Sequence, residues 1–255
     1  MSEMVSGAFF SLTLFIGLII AIEGGRRIRH HSARHDGATG LGTIESAVFG
    51  MLALLLAFSF NGAASRFDVR RQLVVDEVNA ISSAHQRLDL LTPEARSKLH
   101  TKFQQYVDAR LETYKAVPDT KQVNAWNAKA VALQDEIWTD AVTAVQTAPA
   151  PTIAAQLLTA ISSMTDAATS RGAASFIHPP AIIYFMLGLI AILAALMAGY
   201  AMGASDTRSW LHIIGFAAVL AIMAYVIVDL EYPRLGRFQI VEFDRMLADL
   251  RAGMR

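Results

Sequence analysis

Charged residues of both signs are concentrated in one short stretch of the chain, where they would attract or repel ions. The stretch contains Arg66, Asp68, Arg70, Arg71, Asp76 and Glu77. On a helix, opposite charges three or four residues apart pair with one another, each pair contributing roughly a few tenths of a kcal/mol. Arginines at this density also attract anions, although the three acids offset their charge. The residues alone therefore leave open a solvated helix face and a basic surface that concentrates anions.

The histidines and the remaining reactive residue types give no support to catalysis. His30, His31 and His35 lie in an arginine-rich loop flanked by glycines, which is a poor scaffold for a metal site. His85 lies on an apolar helix face and is expected in a core or at an interface, and His212 either reaches the membrane interface or acts inside a span. The sequence contains no cysteine, nucleophile elbow or phosphate-binding glycine loop. We predict no enzyme, no metal and no cofactor.

Four long apolar runs in the sequence are expected to form the helices that position these side chains. Hydrophobic residues make up 54% of the 255 positions and charged residues 17%, against roughly 25% charged residues in soluble domains. A bilayer span needs roughly 20 apolar residues, and the candidate runs cover residues 4–22, 47–62, 179–203 and 210–228. These runs predict an integral membrane protein with the lipid bilayer as a partner. A formal net charge of zero argues against nucleic acid as a partner.

The first run is expected to be a span rather than a cleaved signal peptide. Its preceding residues include Glu3 but no Lys or Arg, and no Ala-x-Ala site precedes Glu23. Lys and Arg near the other span ends favour a cytoplasmic soluble domain and cytoplasmic termini, whereas the cluster at residues 26–34 opposes that orientation. The absence of cysteine fits a bacterial inner membrane protein.

Between the second and third runs the sequence is helical in pattern. Phe67, Val74, Val78 and Ile81 recur at helical spacing, and Thr92-Pro93-Glu94 has the residue types of a helix start. We predict an all-α fold with about four transmembrane helices and a cytosolic helical bundle inserted between spans two and three. Its parts are a first membrane hairpin (1–62), a helical soluble stalk domain (63–178), a second membrane hairpin (179–230) and a C-terminal tail (231–255), with residues 24–42 as a loop.

Two segments resemble a known family. The second run ends at Asn61-Gly62, a turn-like dipeptide, and Arg66-Phe67-Asp-Val-Arg70-Arg71 follows it. The fourth run is followed by Asp229-Leu-Glu231-Tyr-Pro233-Arg-Leu-Gly236. These segments, and the order of two spans, a helical block, two spans and a tail, resemble the bestrophin-like domain family of bacterial membrane proteins. That family is distantly similar to the bestrophin anion channels, and the resemblance covers nearly the whole chain.

The resemblance implies a homopentameric channel for inorganic anions such as chloride, with a hydrophobic neck on the second span. It assigns the neck to Gly50, Leu54 and Phe58, which lie four residues apart and so share one helix face. It further implies roles for the pore exit (Asn61 and Ser65, with a turn at Asn61-Gly62), the vestibule charges (Arg66, Arg70, Arg71, Asp76 and Glu77) and the segment after span four (Asp229, Glu231, Pro233 and Gly236).

Two departures from the family pattern limit what is carried over. The acidic stretch that binds calcium in animal bestrophins is not reproduced after Pro233, where Arg234 and Arg237 follow, so calcium gating is not expected. Gly50 also occupies a neck position where a bulky residue is usual. The alternative function is a non-conducting oligomeric scaffold or sensor whose stalk helices bind a partner. Burial of Leu54 and Phe58 within one subunit would favour that alternative.

Two expectations concern packing. Asp229 and Glu231 either cap the membrane interface at the end of span four or, as we hypothesise because both sets lie at the same membrane face, pair with Arg66 and Arg70. The small residues Ala195, Gly199 and Gly203 recur every four positions, which permits close helix approach within one subunit or between subunits.

Overall fold

The computed structural model describes residues 2–32, 41–146, 151–204, 208–232 and 241–254. The described residues form helices and contain no strand, as the sequence predicts. The helices are α1 (Ser2–Ser32), α2 (Leu41–Gln86), α3 (Pro93–Lys115), α4 (Thr120–Val145), α5 (Pro151–Ala174), α6 (Ala181–Met202), α7 (Trp210–Glu231) and α8 (Val241–Gly253), with a short 3₁₀ helix at Arg87–Leu90. Four of them, α1, α2, α6 and α7, are long and apolar enough to cross a membrane.

The chain divides into two compact units. One unit comprises residues 1–67 and 178–238, and the other comprises residues 68–177 and 239–255. The first unit contains the apolar helices, and we call it the membrane unit. The second contains α3, α4, α5 and α8, and we call it the bundle unit. The boundary at Phe67 falls inside α2.

The membrane unit is held together by small residues. Its buried core is rich in alanine, with Ala191, Ala194, Ala195 and Ala217 all nearly inaccessible. A Cβ atom added at Gly199 would overlap the backbone of Ile22, and one added at Gly25 would overlap the backbone of α6 at Leu196. Glycine at these positions lets the two backbones touch, which is how membrane helices gain packing contacts without a hydrophobic driving force.

The close packing of α1 on α6 corrects one expectation. Residues 24–42 were expected to form a loop, but α1 continues as a helix to Ser32. The loop was expected because the segment is rich in glycine. In the structure Gly25 instead supplies a surface without a side chain against α6. Tertiary contact therefore overrides the weak helix propensity of glycine.

The bundle unit has a conventional core of large apolar side chains. Phe103, Tyr106, Ile137, Ile161 and Met164 are fully buried. Pro93 occupies the first turn of α3, as the sequence predicts. At the start of α4 the Asp119 carboxylate accepts hydrogen bonds from the backbone N–H groups of Lys121 and Gln122. These caps fix the ends of the helices that surround the core.

Candidate pore face and adjoining charge clusters

Gly50, Leu54 and Phe58 lie on a face of α2 that none of the helices in the described parts of the chain covers. Leu54 is 56% exposed and Phe58 is 66% exposed. A Cβ atom added at Gly50 would meet no atom within 4 Å. Only 11% of the most apolar stretch of α2 is buried inside the protein, compared with 33% of the most apolar stretch of α7. This face is therefore available to lipid, to neighbouring copies or to a central pore.

Other residues of α2 attach the helix to the rest of the membrane unit. Leu52 and Ala63 are buried in the core of that unit. Phe49 packs edge-on against Phe216 of α7, with ring centroids 6.0 Å apart and planes at 89°. The helix thus has a packed side and an unpacked side, and the predicted neck residues belong to the unpacked side.

The two predicted exit residues, Asn61 and Ser65, are also exposed on α2. The turn expected at Asn61-Gly62 is absent, because both residues lie inside the continuous helix. The missing side chain of Gly62 leaves room for the guanidinium of Arg66, whose Nη1 would lie 3.2 Å from a Cβ atom at Gly62. The glycine therefore serves side-chain packing rather than a change of chain direction.

At the end of α7, in the membrane unit, the buried carboxylate of Glu231 pairs with the guanidinium of Arg66. The Glu231 side chain is fully buried, and both of its oxygens accept hydrogen bonds from Arg66 at 2.8–3.1 Å. Nδ1 of His178 lies 3.1 Å from Glu231 Oε1, and the imidazole stacks on Tyr232 with ring centroids 5.0 Å apart. The pairing of Glu231 with Arg66 predicted from the sequence is confirmed. His178 is a partner that the sequence reading missed.

The other predicted vestibule charges have different surroundings. Arg70 is buried, and its guanidinium donates to the backbone carbonyls of Ala174 at 3.2 Å and Ile177 at 3.0 Å. Arg71 pairs with Asp68 one turn earlier on α2, at 3.3 Å. Asp76 is exposed and accepts a hydrogen bond from Gln72. Arg71 and Asp76 therefore each contact a residue about one turn away on α2.

Glu77 anchors a second buried cluster, in the bundle unit. Its carboxylate accepts hydrogen bonds from Arg110 Nε at 2.6 Å, from Arg171 Nη1 at 2.5 Å and from the Tyr114 hydroxyl at 3.1 Å. Arg110 also contacts the Tyr114 hydroxyl and Asn127. The Arg171 guanidinium lies 3.6 Å from the centroid of the Tyr114 ring. Three helices, α2, α3 and α5, therefore meet at one carboxylate.

Burial and neighbouring charges act on two members of this cluster, Tyr114 and Arg110. Burial raises the pKa of Tyr114, and the Glu77 carboxylate raises it further, so the phenol stays protonated. Burial by itself would lower the pKa of Arg110, but Tyr114 and Glu77 raise it overall, so the guanidinium stays charged. Arg110 and Arg171 are 33 and 94 residues from Glu77 along the chain. No local sequence pattern pairs residues so far apart.

The histidines show no metal site in the described part of the chain. No group of three or more metal-ligating side chains occurs among those residues. His85 lies beside His100, with ring centroids 5.0 Å apart, and against Phe103 in the bundle unit. His212 lies 2.5 Å from the hydroxyl of Ser209 at the start of α7.

The small-residue stripe of α6 faces α1 of the same chain. Ala195 is buried, Gly199 contacts the backbone of Ile22, and Gly203 contacts Arg29. Of the two arrangements that the sequence left open, these glycines therefore show packing within one subunit. In the segment after span four, Asp229 is buried near the end of α7. Pro233 and Gly236 lie outside the described residues.

Comparison with known proteins gives this fold a family. The profile of the Bestrophin-like domain matches residues 10–242. Crystal structures of a bacterial bestrophin homologue from Klebsiella pneumoniae share the fold. One variant has a TM-score of 0.67 at 13% identity, covering 96% of this chain and 98% of that one, and another has a TM-score of 0.66 at 11% identity, covering 99% of each. A crystal structure described as a membrane protein has a TM-score of 0.60 at 12% identity, covering 98% of this chain and 99% of that one.

Among curated proteins no relative matches the chain. The identities to the solved structures are low, so those structures show likeness of fold. The family profile, which covers most of the sequence, shows kinship. The protein is therefore a membrane protein that belongs to the Bestrophin-like domain family.

Proposed function

We propose that this protein is an ion channel whose conduction path is lined by the exposed face of α2. The observation that carries the proposal is the unpacked apolar face of Gly50, Leu54 and Phe58, which the other described residues leave exposed. Buried apolar side chains would argue against a pore, because a pore face must be free in each subunit. Apolar side chains around an axis form a constriction that excludes water and so can gate ion flow.

Five copies around one axis and a preference for anions complete the proposal. Both follow from the resemblance to the bestrophin anion channels. In this arrangement Asn61 and Ser65 would hydrate an ion that leaves the neck, and the partly exposed Arg71 and the exposed Asp76 would line the vestibule. We propose a bacterial inner membrane location with the bundle unit in the cytoplasm, because more Lys and Arg residues lie near the span ends on that side. The predicted division into two membrane hairpins, a stalk domain and a tail remains part of this proposal.

Ion flux into liposomes tests the channel directly. Purified protein is expected to pass chloride, and the reversal potential in a salt gradient measures anion against cation preference. Phe58→Ala is expected to raise the flux several-fold, because it shortens the bulkiest apolar side chain of the proposed constriction. Absence of flux from the unmodified protein would contradict the channel, and a reversal potential favouring cations would contradict the anion preference alone.

A matched control is available on another membrane helix. Phe185 of α6 is 64% exposed, almost the same as Phe58 of α2 at 66%. Phe185→Ala removes the same volume from a surface expected to face lipid, so it is expected to leave the flux unchanged. Equal effects of the two substitutions would mean that Phe58 faces lipid as well.

The alternative function is a non-conducting scaffold or sensor, and one observation favours it. Val131 and Trp138 of α4 lie seven residues apart and are 48% and 43% exposed, although α4 belongs to the bundle unit. Exposed large apolar side chains on a helix of this kind often mark a surface for a partner. An assembled protein without ion flux, combined with loss of partner binding in Trp138→Ala, would support this alternative.

A further inference from the structure

Arg26 of α1 is a buried charge whose guanidinium is not fully compensated within the described part of the chain. The residue is only 3% exposed, and no group among the described residues accepts a hydrogen bond from its buried Nη1. Arg70, Arg110 and Arg171 are also buried, but each donates to a carbonyl or carboxylate oxygen. A buried guanidinium without an acceptor is costly, because burial removes the water that solvates its charge. The charge of Arg26 therefore requires an acceptor that these residues do not supply.

The carboxylate one turn before Arg26 on α1 is already shared by two other arginines. Oε1 of Glu23 accepts hydrogen bonds from Arg27 Nε at 3.3 Å and from Arg208 Nη2 at 3.0 Å. The side chains of Arg27 and Arg208 are 74% and 51% exposed, so water also solvates them. Among the described residues Glu23 is the one carboxylate that pairs with this group of arginines, and the group keeps a net positive charge.

Arg29 lies one turn after Arg26, where α1 meets the end of α6. The Arg29 guanidinium lies 5.0 Å from the centroid of the Tyr200 ring. A Cβ atom added at Gly203 would be 2.8 Å from Cβ of Arg29 and 3.2 Å from the carbonyl oxygen of Arg26. The negative end of the α6 dipole favours cations here, but among the described residues no carbonyl oxygen accepts from Nη1 of Arg26.

The surroundings of these arginines are those of a membrane interface. Ile20 and Ile28 of α1 precede and follow Arg26 and are 65% and 48% exposed. At the start of α7, Trp210 is 52% exposed. Exposed tryptophan and arginine at the ends of apolar spans are typical of the depth at which lipid headgroups lie. Lipid can therefore offer both a headgroup to the arginines and acyl chains to the exposed isoleucines.

We propose that Arg26 and Arg29 bind the phosphate group of an anionic phospholipid. Two phosphate oxygens match the planar donors of a guanidinium, and such charge-assisted pairs are among the strong hydrogen bonds of proteins. The phosphate would approach beside Arg29, which is less buried than Arg26. Inorganic phosphate carries the same oxygens but has no acyl chain to pack on Ile20 and Ile28. The site lies within the membrane unit and does not depend on the proposed ion path.

Thermal unfolding of the unmodified protein in detergent tests the ligand class, because a ligand that binds the folded state raises the unfolding midpoint. Added phosphatidylglycerol is expected to raise the midpoint, phosphatidylcholine to raise it less, and inorganic phosphate to leave it unchanged. An equal rise with both lipids would overturn the recognition of an anionic headgroup. A rise with inorganic phosphate that equals the rise with phosphatidylglycerol would overturn the assignment to a lipid.

Arg26→Met tests the position of the site, since it replaces the charge with an apolar side chain of similar length. In detergent without added lipid this variant is expected to unfold at no lower temperature than the unmodified protein, because a poorly compensated buried charge is removed. Its apparent affinity for phosphatidylglycerol is expected to fall at least about tenfold. Arg27→Gln is the matched control, since Arg27 is the next residue but is exposed, and it is expected to keep the affinity.

A purely structural role for Arg26 predicts the opposite pattern. The midpoint without lipid would then fall in Arg26→Met, and the shift caused by phosphatidylglycerol would stay the same. An unchanged shift in Arg26→Met would overturn the inference. If Arg26→Met does not assemble, Arg29→Gln serves in its place and is also expected to weaken the binding of phosphatidylglycerol. An unchanged shift in that variant would equally overturn the inference.

Discussion

Two buried carboxylates, one in each unit of the molecule, are bound by arginine in different settings. Around Glu77 of the bundle unit, the side chains of Arg110 and Arg171 are only 6% and 7% exposed. Around Glu231 of the membrane unit, the two basic partners are about a third exposed. Removing water from all partners makes a charge cluster costly to break, whereas partly exposed partners keep some hydration when their carboxylate is lost. The same acid type is thus sealed from water together with its partners in one unit, while in the other unit its partners remain in contact with water.

The largest expected effect is at Glu77. Glu77→Gln removes the negative charge that the buried Arg110 and Arg171 share, and breaking a buried pair in this way costs about 3–5 kcal/mol. Denaturant unfolding in detergent, followed by the fluorescence of Trp126 and Trp138 in the bundle unit, measures this loss. Asp76→Asn is the control, because Asp76 is the preceding residue on α2 but is exposed. Similar losses in both variants would show that the Glu77 cluster is not the source of stability.

A smaller loss is expected at Glu231. Glu231→Gln weakens the hydrogen bonds from Arg66 and His178, but both basic groups retain some access to water. The expected loss in the free energy of unfolding is about 1.5–3 kcal/mol. Thermal unfolding in detergent, compared with Glu77→Gln, tests the order of the two effects. A greater loss at Glu231 than at Glu77 would contradict the role that we assign to solvent access.

The smallest expected effect is at a lysine of the bundle unit that contacts two carboxylates. The side chains of Lys102 and Asp140 are 20% and 13% exposed, and Lys102 keeps the 55% exposed Glu136 as a partner when Asp140 is neutralised. Lys102 contacts Asp140 at 2.8 Å and Glu136 at 2.9 Å, and Asp140→Asn is expected to cost less than about 1 kcal/mol. Burial opposes ionisation of Asp140, but hydrogen bonds from Lys102 and Lys98 lower its pKa overall. The stabilisation by ionised Asp140 is therefore complete above its unfolded pKa of 3.8 and is lost as the pH falls through its lowered folded pKa.

The pKa of Lys102 sets the high-pH limit of the stabilisation that its contact with Asp140 provides. A hydrogen bond to Asp140 raises the pKa of Lys102, although burial acts against it. Its contribution is complete below the unfolded value of 10.5 and is lost as the pH rises through the raised folded value. Unfolding measured from acid to alkaline pH, with Asp140→Asn as the comparison, tests both limits. A pH-independent difference between the two proteins would contradict the assignment.

Much of the fold follows from local sequence patterns. The four apolar runs predict the four membrane-competent helices, and Pro93 predicts the start of α3, because hydrophobic length and proline geometry act over neighbouring residues. The family resemblance rests on two segments and is confirmed by the family profile. The pairing of Arg66 with Glu231 also followed from the sequence, since both residues were expected at the same membrane face.

Several decisive features depend on residues far apart in the chain. Gly25, in the predicted loop, and Gly62, in the predicted turn, instead lie in helices, where each lets a neighbouring group approach more closely than a side chain would allow. His178 reaches Glu231 across 53 residues, and Arg171 reaches Glu77 across 94. The sequence by itself determined the helices, the spans and the family, since these depend on local composition and order. Only the tertiary structure decided which charges are buried and which face of α2 is free, because burial depends on how distant helices pack.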